Sequence, residues 1–211
     1  MPRRVKEEAE KTRTRILASA LALFVKKGYA HTTFTDIAAR LKMTKGAVYW
    51  HFESKEALLV ALVDEMLMKF GRQIAEVMPK DELTFPAVAE MMGKNAAQIT
   101  GDAKGMAFFL LMHEQIQWSS ASMGAVRQEL LKDKRFGPWR AFRTAVLNDA
   151  KAGRIREQVN ADHVAHACVA LWDGLVYARI AKFIESDNDM CETLKRSYEG
   201  VWASIRVVES F

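Results

Sequence analysis

An all-α fold is what this sequence predicts: an N-terminal three-helix helix-turn-helix domain joined by a long helix to a C-terminal helical bundle. Three observations carry the prediction. Apolar residues recur at three- and four-residue steps along most of the chain. No segment sustains the every-second-residue alternation of a half-buried strand. The 211 residues include only four prolines and no low-complexity tract, which favours helices with short connections.

The elements follow in order. Between residues 8 and 27, Ile16, Leu17, Ala20, Leu21 and Phe24 form one apolar stripe, and Lys26, Lys27 and Gly28 close it with cations and a stop. Thr33 can cap a short helix over 34–41, with Asp36 three positions on as a short capping box. Thr44 can cap a second short helix over 45–51. Ser54 can cap a long helix reaching 78, ahead of Pro79. Further helices are predicted over 85–99, 104–118, 123–134, 138–152, 162–184 and 190–208. Pro86 and Pro138 suit first turns, and Gly153 suits a stop. The domains are therefore expected at 1–53 and 54–211, with 54–78 as the linking helix.

Charge is distributed unevenly. Residues 1–55 hold twelve Lys and Arg against five acids, net +7, leaving nineteen against twenty-one, net −2, elsewhere. A basic head on a slightly acidic body suits a polyanion, because each neutralised phosphate also releases condensed counterions. No apolar run approaches the roughly 18 residues needed to span a bilayer, and the N-terminus lacks the apolar segment of a secretory signal. The chain is therefore expected in the cytoplasm, with no membrane partner. Cys168 and Cys191 lie in apolar helical patterns and read as reduced, buried thiols.

The stretch from Phe34 to Leu59 carries the chemistry. Ile37, Ala38 and Leu41 should pack the first short helix inward, and Val48 should anchor the second. Gly46 and Ala47 then leave a nearly bare surface for close backbone approach to a DNA major groove. Lys45 can reach guanine acceptors or phosphate, and Tyr49 and His51 can donate to phosphate oxygens. Lys55 falls in the first turn of the next helix, whose free N–H groups also favour an anion.

The segments Thr33-x-x-x-Ile37-Ala38, Thr44-Lys45-Gly46-Ala47-Val48-Tyr49-Trp50-His51-Phe52 and Ser54-Lys55-Glu56-Ala57-Leu58 resemble the N-terminal signature of the TetR family of bacterial repressors. KTRTRILASALALFVKKGY is similar to the acriflavine-resistance type of multidrug-efflux repressor within that family. The strong resemblance covers residues 8–65 and extends less closely over 153–174. It implies a homodimer that places two recognition helices on a palindromic double-stranded DNA operator. It also implies repression relieved by a small-molecule effector in the C-terminal domain. It places Thr33, Thr44, Lys45, Tyr49, His51 and Lys55 at DNA-contacting positions, and Trp50 at a packing position.

The C-terminal helices invite two further expectations. Leu194, Tyr198, Val201 and Ile205 step by four, three and four, and Val164, Leu171 and Leu175 mark the preceding helix. Together they could form half of a four-helix dimer seam. Helices over 85–152 are rich in Met and aromatic residues, which an adaptable apolar pocket would use. The expected effector residues are Phe70, Ile74, Met91, Phe109, Met112, His113, Phe142 and Trp172, with Glu114 available to a cationic ligand.

Enzymatic chemistry finds little support. His113-Glu114 begins a zinc-protease pattern, but Gln117 stands where its second His belongs. His163 and His166 share a helix face beside Asp162 without a third ligand, so neither a metal nor a cofactor is expected.

Overall fold

A computed structural model describes residues 2–77, 82–131 and 137–207, with side chains described from residue 6 onward except at 70, 71, 73–77 and 131. Among the described residues ten α-helices run in chain order: α1 Pro2–Lys27, α2 Phe34–Leu41, α3 Lys45–His51, α4 Lys55–Val77, α5 Phe85–Gly101, α6 Ala103–Leu110, α7 Gly124–Leu131, α8 Pro138–Lys151, α9 Ala161–Ile180 and α10 Asp187–Ile205. A π-helical turn, Leu111–Gln115, follows α6, and a 3₁₀ turn, Ala121–Met123, precedes α7. Among the described residues the β-structure is one isolated bridge between Ile155 and Arg206.

Most predicted elements are present, with three informative differences. The helix expected over 104–118 ends as an α-helix at Leu110, widens into the π turn, and leaves helical geometry at Ile116. The helix expected to reach 184 stops at Ile180, because Lys182 takes a left-handed backbone with φ 63°. α10 begins at Asp187 rather than 190, because the Ser186 hydroxyl accepts the Asp189 N–H at 3.1 Å and caps the helix.

The chain forms two compact units. The first comprises Met1–Met66 with Ala107–Arg135, and the second comprises Leu67–Met106 with Phe136–Phe211. The first thus holds more than the expected 1–53 segment. Its core joins Ile16, Leu17, Ala20, Leu21 and Phe24 of α1 to Phe34 and Ile37 of α2, Val48 of α3, and Leu58, Leu59 and Leu62 of α4. Leu111, Ile116, Met123 and Val126 complete it, with Phe108 and Trp118 packed alongside. Gln115 donates to the Val25 carbonyl at 3.4 Å, tying the π turn to α1.

In the second unit, α5, α8, α9 and α10 share a core. Phe85, Phe142 and Tyr198 meet with ring centroids 5.2–6.4 Å apart, and Met92, Ala145, Cys168, Trp172 and Leu194 are buried around them. Three buried polar side chains at this core are paired, which offsets the cost of their burial. Tyr198 donates its hydroxyl to the Cys168 carbonyl at 3.2 Å, and Trp172 donates its indole N–H to the Met92 carbonyl at 3.1 Å. Asp149, fully buried, accepts the Phe85 N–H at 2.8 Å at the start of α5 and pairs with Arg154 at 2.6 Å.

Candidate functional site

The site is built on α2, the turn after it, and α3. Thr33 caps α2 with a complete capping box: its hydroxyl accepts the Asp36 N–H at 3.3 Å, and Asp36 accepts the Thr33 N–H at 2.8 Å. Lys27 pairs with Asp36 at 2.7 Å, and these contacts hold the Asp36 carboxyl well below the usual carboxylate range. α2 ends at Lys42 in a left-handed conformation, φ 55°, from which the Lys42 and Met43 N–H groups return to the Ala39 and Ala38 carbonyls. That turn supplies the tight connection a helix-turn-helix needs. Thr44 then caps α3, its hydroxyl accepting the Ala47 N–H at 3.1 Å.

α3 spans seven residues and has one buried side chain, Val48. Thr44, Lys45, Gly46, Tyr49 and Trp50 are exposed, and Ala47 and His51 are half-buried. A Cβ on Gly46 would meet nothing closer than the Thr44 hydroxyl at 3.9 Å, so nothing within the protein requires glycine there. Tyr49 is 49 % exposed, with its ring edge against Phe34 at 4.8 Å and the Lys45 ammonium 5.5 Å from its centroid.

Trp50 corrects the sequence expectation. It is 73 % exposed rather than packed, and its main ring neighbour is His51 at 4.6 Å. Burial, helped by the charge of Arg13, lowers the His51 pKa from its ordinary value and so favours the uncharged ring.

Lys55 opens α4 but turns inward. Its ammonium donates to the carbonyls of Tyr29 at 2.9 Å, Ala30 at 3.2 Å and Thr32 at 3.3 Å, and lies 4.5 Å from the Tyr29 ring centroid. Removal from water lowers its pKa. Of the expected contacts, Thr44, Lys45, Gly46, Ala47, Tyr49 and His51 thus lie on or cap one short helix. Thr33 caps its brace, and Lys55 is engaged elsewhere.

This geometry agrees with comparison to known proteins. A model of bacterial regulatory proteins of the tetR family matches residues 16–62, spanning the capped turn and α3. Residues 16–62 of the chain are thus similar to the tetR-family regulators. The regulator TtgR of Pseudomonas putida is 28 % identical over 179 residues, 83 % of each chain. The probable acrEF/envCD operon repressor of Escherichia coli K12 is 47 % identical over 58 residues, 28 % of this chain and 26 % of that one. The structure of SmeT, repressor of a Stenotrophomonas maltophilia multidrug efflux pump, shares the fold with a TM-score of 0.71 at 21 % identity, over 94 % of this chain and 92 % of that one. These relatives are named as regulators and repressors. Among the described residues no His, Cys, Asp and Glu cluster could hold a metal, and no helix is long and apolar enough to cross a membrane.

The other expected site residues are dispersed. Phe109, Met112 and His113 lie in the first unit, where Phe109 and His113 stack at 4.1 Å. Met91 is half-buried on α5, whereas Phe142 and Trp172 are core residues of the second unit. The side chains of Phe70 and Ile74 lie outside those described. A cleft of about 670 Å³ between α5 and α10, floored by Phe85, Tyr198 and Trp202, has none of the expected effector residues in its wall.

The expected dimer residues divide by face. Leu194, Tyr198 and Ile205 are buried inside their own bundle and correct the expectation of an open seam, because α10 needs its apolar stripe to cover α5 and α9. Val164, Leu171, Leu175 and Val201 are only half-buried, next to the exposed Ala167, Gly174 and Gly200.

Proposed function

We propose that this chain is a TetR-family regulator, a ligand-responsive, cytoplasmic repressor that binds a palindromic operator as a homodimer and leaves it when a small apolar or aromatic effector occupies the 54–211 domain. The carrying observation is the outer face of α3: Lys45, Tyr49 and Trp50 project from a helix whose one buried residue is already used. A cation, a phenol and an indole placed together suit phosphate, base-edge and thymine-methyl contact, respectively. Gly46 keeps the approach open, Thr44 and His51 supply donors at the margins, and Thr33, whose hydroxyl donates to Asp36, serves as the cap of α2.

Two recognition helices must lie about one DNA turn apart, roughly 34–36 Å, and one chain supplies only one. The half-buried Val164, Leu171 and Leu175 of α9 and Val201 of α10 form the proposed seam, with Ala167, Gly174 and Gly200 allowing close approach. The effector reading is supported by SmeT, a repressor of a multidrug efflux pump whose complex with triclosan shares this fold. An effector releases DNA only by favouring the non-binding arrangement.

The test is selection of bound fragments from a genomic library, followed by footprinting. Two protected half-sites related by symmetry, bound by a dimer in sedimentation, are expected. Adding 2-hydroxybiphenyl, a flat apolar probe, should raise both the melting temperature and the operator Kd. A single protected half-site bound by a monomer contradicts the assembly, and probe binding without DNA release contradicts the response.

A further inference from the structure

Lys55 is an expected DNA contact whose charged group the fold has already engaged. An ammonium has three N–H donors, and here three carbonyls, those of Tyr29, Ala30 and Thr32, lie within 3.3 Å of its nitrogen. The ring of Tyr29 adds its negative face at 4.5 Å. A phosphate oxygen would have to compete with these three carbonyls for the same N–H groups.

The segment it holds is the turn that aims α2. α1 ends where Gly28 adopts φ 93°, a conformation side chains disfavour. Thr32, buried, donates its hydroxyl to the Gly28 carbonyl at 2.8 Å and the Leu23 carbonyl at 3.3 Å, fastening the turn to α1. Thr33 follows directly and caps α2, which packs against α3. The Tyr29 and Ala30 carbonyls, outside any helix ladder, accept hydrogen bonds from the ammonium of Lys55 in the first turn of α4. One side chain therefore joins the start of α4 to the segment that sets where α2, and through it α3, begins.

We propose that Lys55 is a positioning residue, an ammonium clasp that locks the 28–32 turn to the N-terminus of α4 and so fixes the pose of the recognition helix, rather than a phosphate contact. The clasp gives any displacement of α4's first turn a direct mechanical route to α2. This deepens the DNA-binding reading and rests on it, yet its first test needs no DNA.

In the free wild-type protein, brief acetylation with an N-hydroxysuccinimide ester, read by mass spectrometry, should modify Lys55 much more slowly than the exposed Lys45. Bound operator should slow Lys45 and leave Lys55 unchanged. Lys55 reacting as fast as Lys45 and then becoming protected by operator would overturn the proposal.

Substitution gives the second test. A lysine that neutralises a phosphate contributes about 0.9 to the slope of log K against log salt. Lys55→Met should weaken operator binding by about tenfold or more at every salt concentration with that slope unchanged, since hydrogen bonds to a charged group are lost. Lys45→Met should lower the slope by about one. Lys55→Arg keeps the charge, but a planar guanidinium cannot aim three N–H groups at carbonyls converging on one point, so it should not restore affinity. Full recovery with Arg, or a reduced slope with Met, would overturn the clasp. Should Lys55→Met fail to fold, the Arg variant and the acetylation rates still decide. Failure of the wild type to bind any DNA would remove the repressor reading while leaving the acetylation of the free protein to judge the clasp.

Discussion

α3 and α10 each carry a tyrosine and a tryptophan, and the two helices treat them in opposite ways. On α10 Tyr198 is buried against Phe85 and Phe142 with its hydroxyl bonded to Cys168, and Trp202 stacks on Phe85 at 5.6 Å. On α3 Tyr49 and Trp50 remain largely open. Length decides the difference. Nineteen residues give α10 five turns and a complete inward stripe, whereas seven residues give α3 two turns and one inward place, taken by Val48. The proposed function assigns the surface these two aromatics leave open to DNA.

The largest test of this contrast is Tyr198→Ala. Deleting a buried ring should cost about 3–5 kcal/mol of stability in urea denaturation. Dimer dissociation without loss of stability would return Tyr198 to the seam. Asp149→Ala comes next. Arg154 can turn to water, but the buried Phe85 N–H at the start of α5 loses its acceptor, so melting should reveal a cost of about 1–3 kcal/mol.

Acid should act on the first unit through Asp36. Its folded-state pKa is depressed by Lys27 and Thr33, so its stabilising contribution is present above the unfolded value of about 3.9 and is lost as pH falls below it. Melting temperature should therefore drop between about pH 5 and 2. Asp36→Asn should flatten that limb. Smallest in stability is Trp50→Ala, expected within about 0.5 kcal/mol of wild type because the ring is exposed, while operator affinity falls measurably. A marked loss of stability would mean that Trp50 packs after all.

Much of this was legible in the sequence because local chemistry fixes it. Thr33, Asp36 and Thr44 announce caps whose partners lie three residues away, and Gly28 and Val48 act within their own turns. The sequence did not disclose the orientation of Lys55, because its partners lie 23 to 26 residues earlier in the chain. The burial of Leu194, Tyr198 and Ile205 within one chain was hidden for a related reason: periodicity shows that a helix has an apolar face without saying whether its own bundle or a second subunit covers it. The Ser186 cap was present as Ser-x-x-Asp and could have corrected the start of α10. Nothing in the spacing of Phe109, Met112 and His113 separated a pocket wall from residues grouped with the first unit.

Across the family comparison the same division holds, with 47 % identity over 58 residues for one relative and 28 % over 179 for another. The most direct measurement of the central claim is therefore made on α3 alone. A fragment selected by the wild type should be titrated with the wild type and with Lys45→Ala/Tyr49→Ala/Trp50→Ala, alongside thermal melts of both. Specific binding with a Kd of about 10⁻⁸ M or tighter is expected for the wild type. The triple variant should remain folded and lose affinity at least about a hundredfold, in line with losing base and phosphate contacts together. A folded triple variant that still binds the fragment at wild-type affinity would show that α3 does not read the DNA.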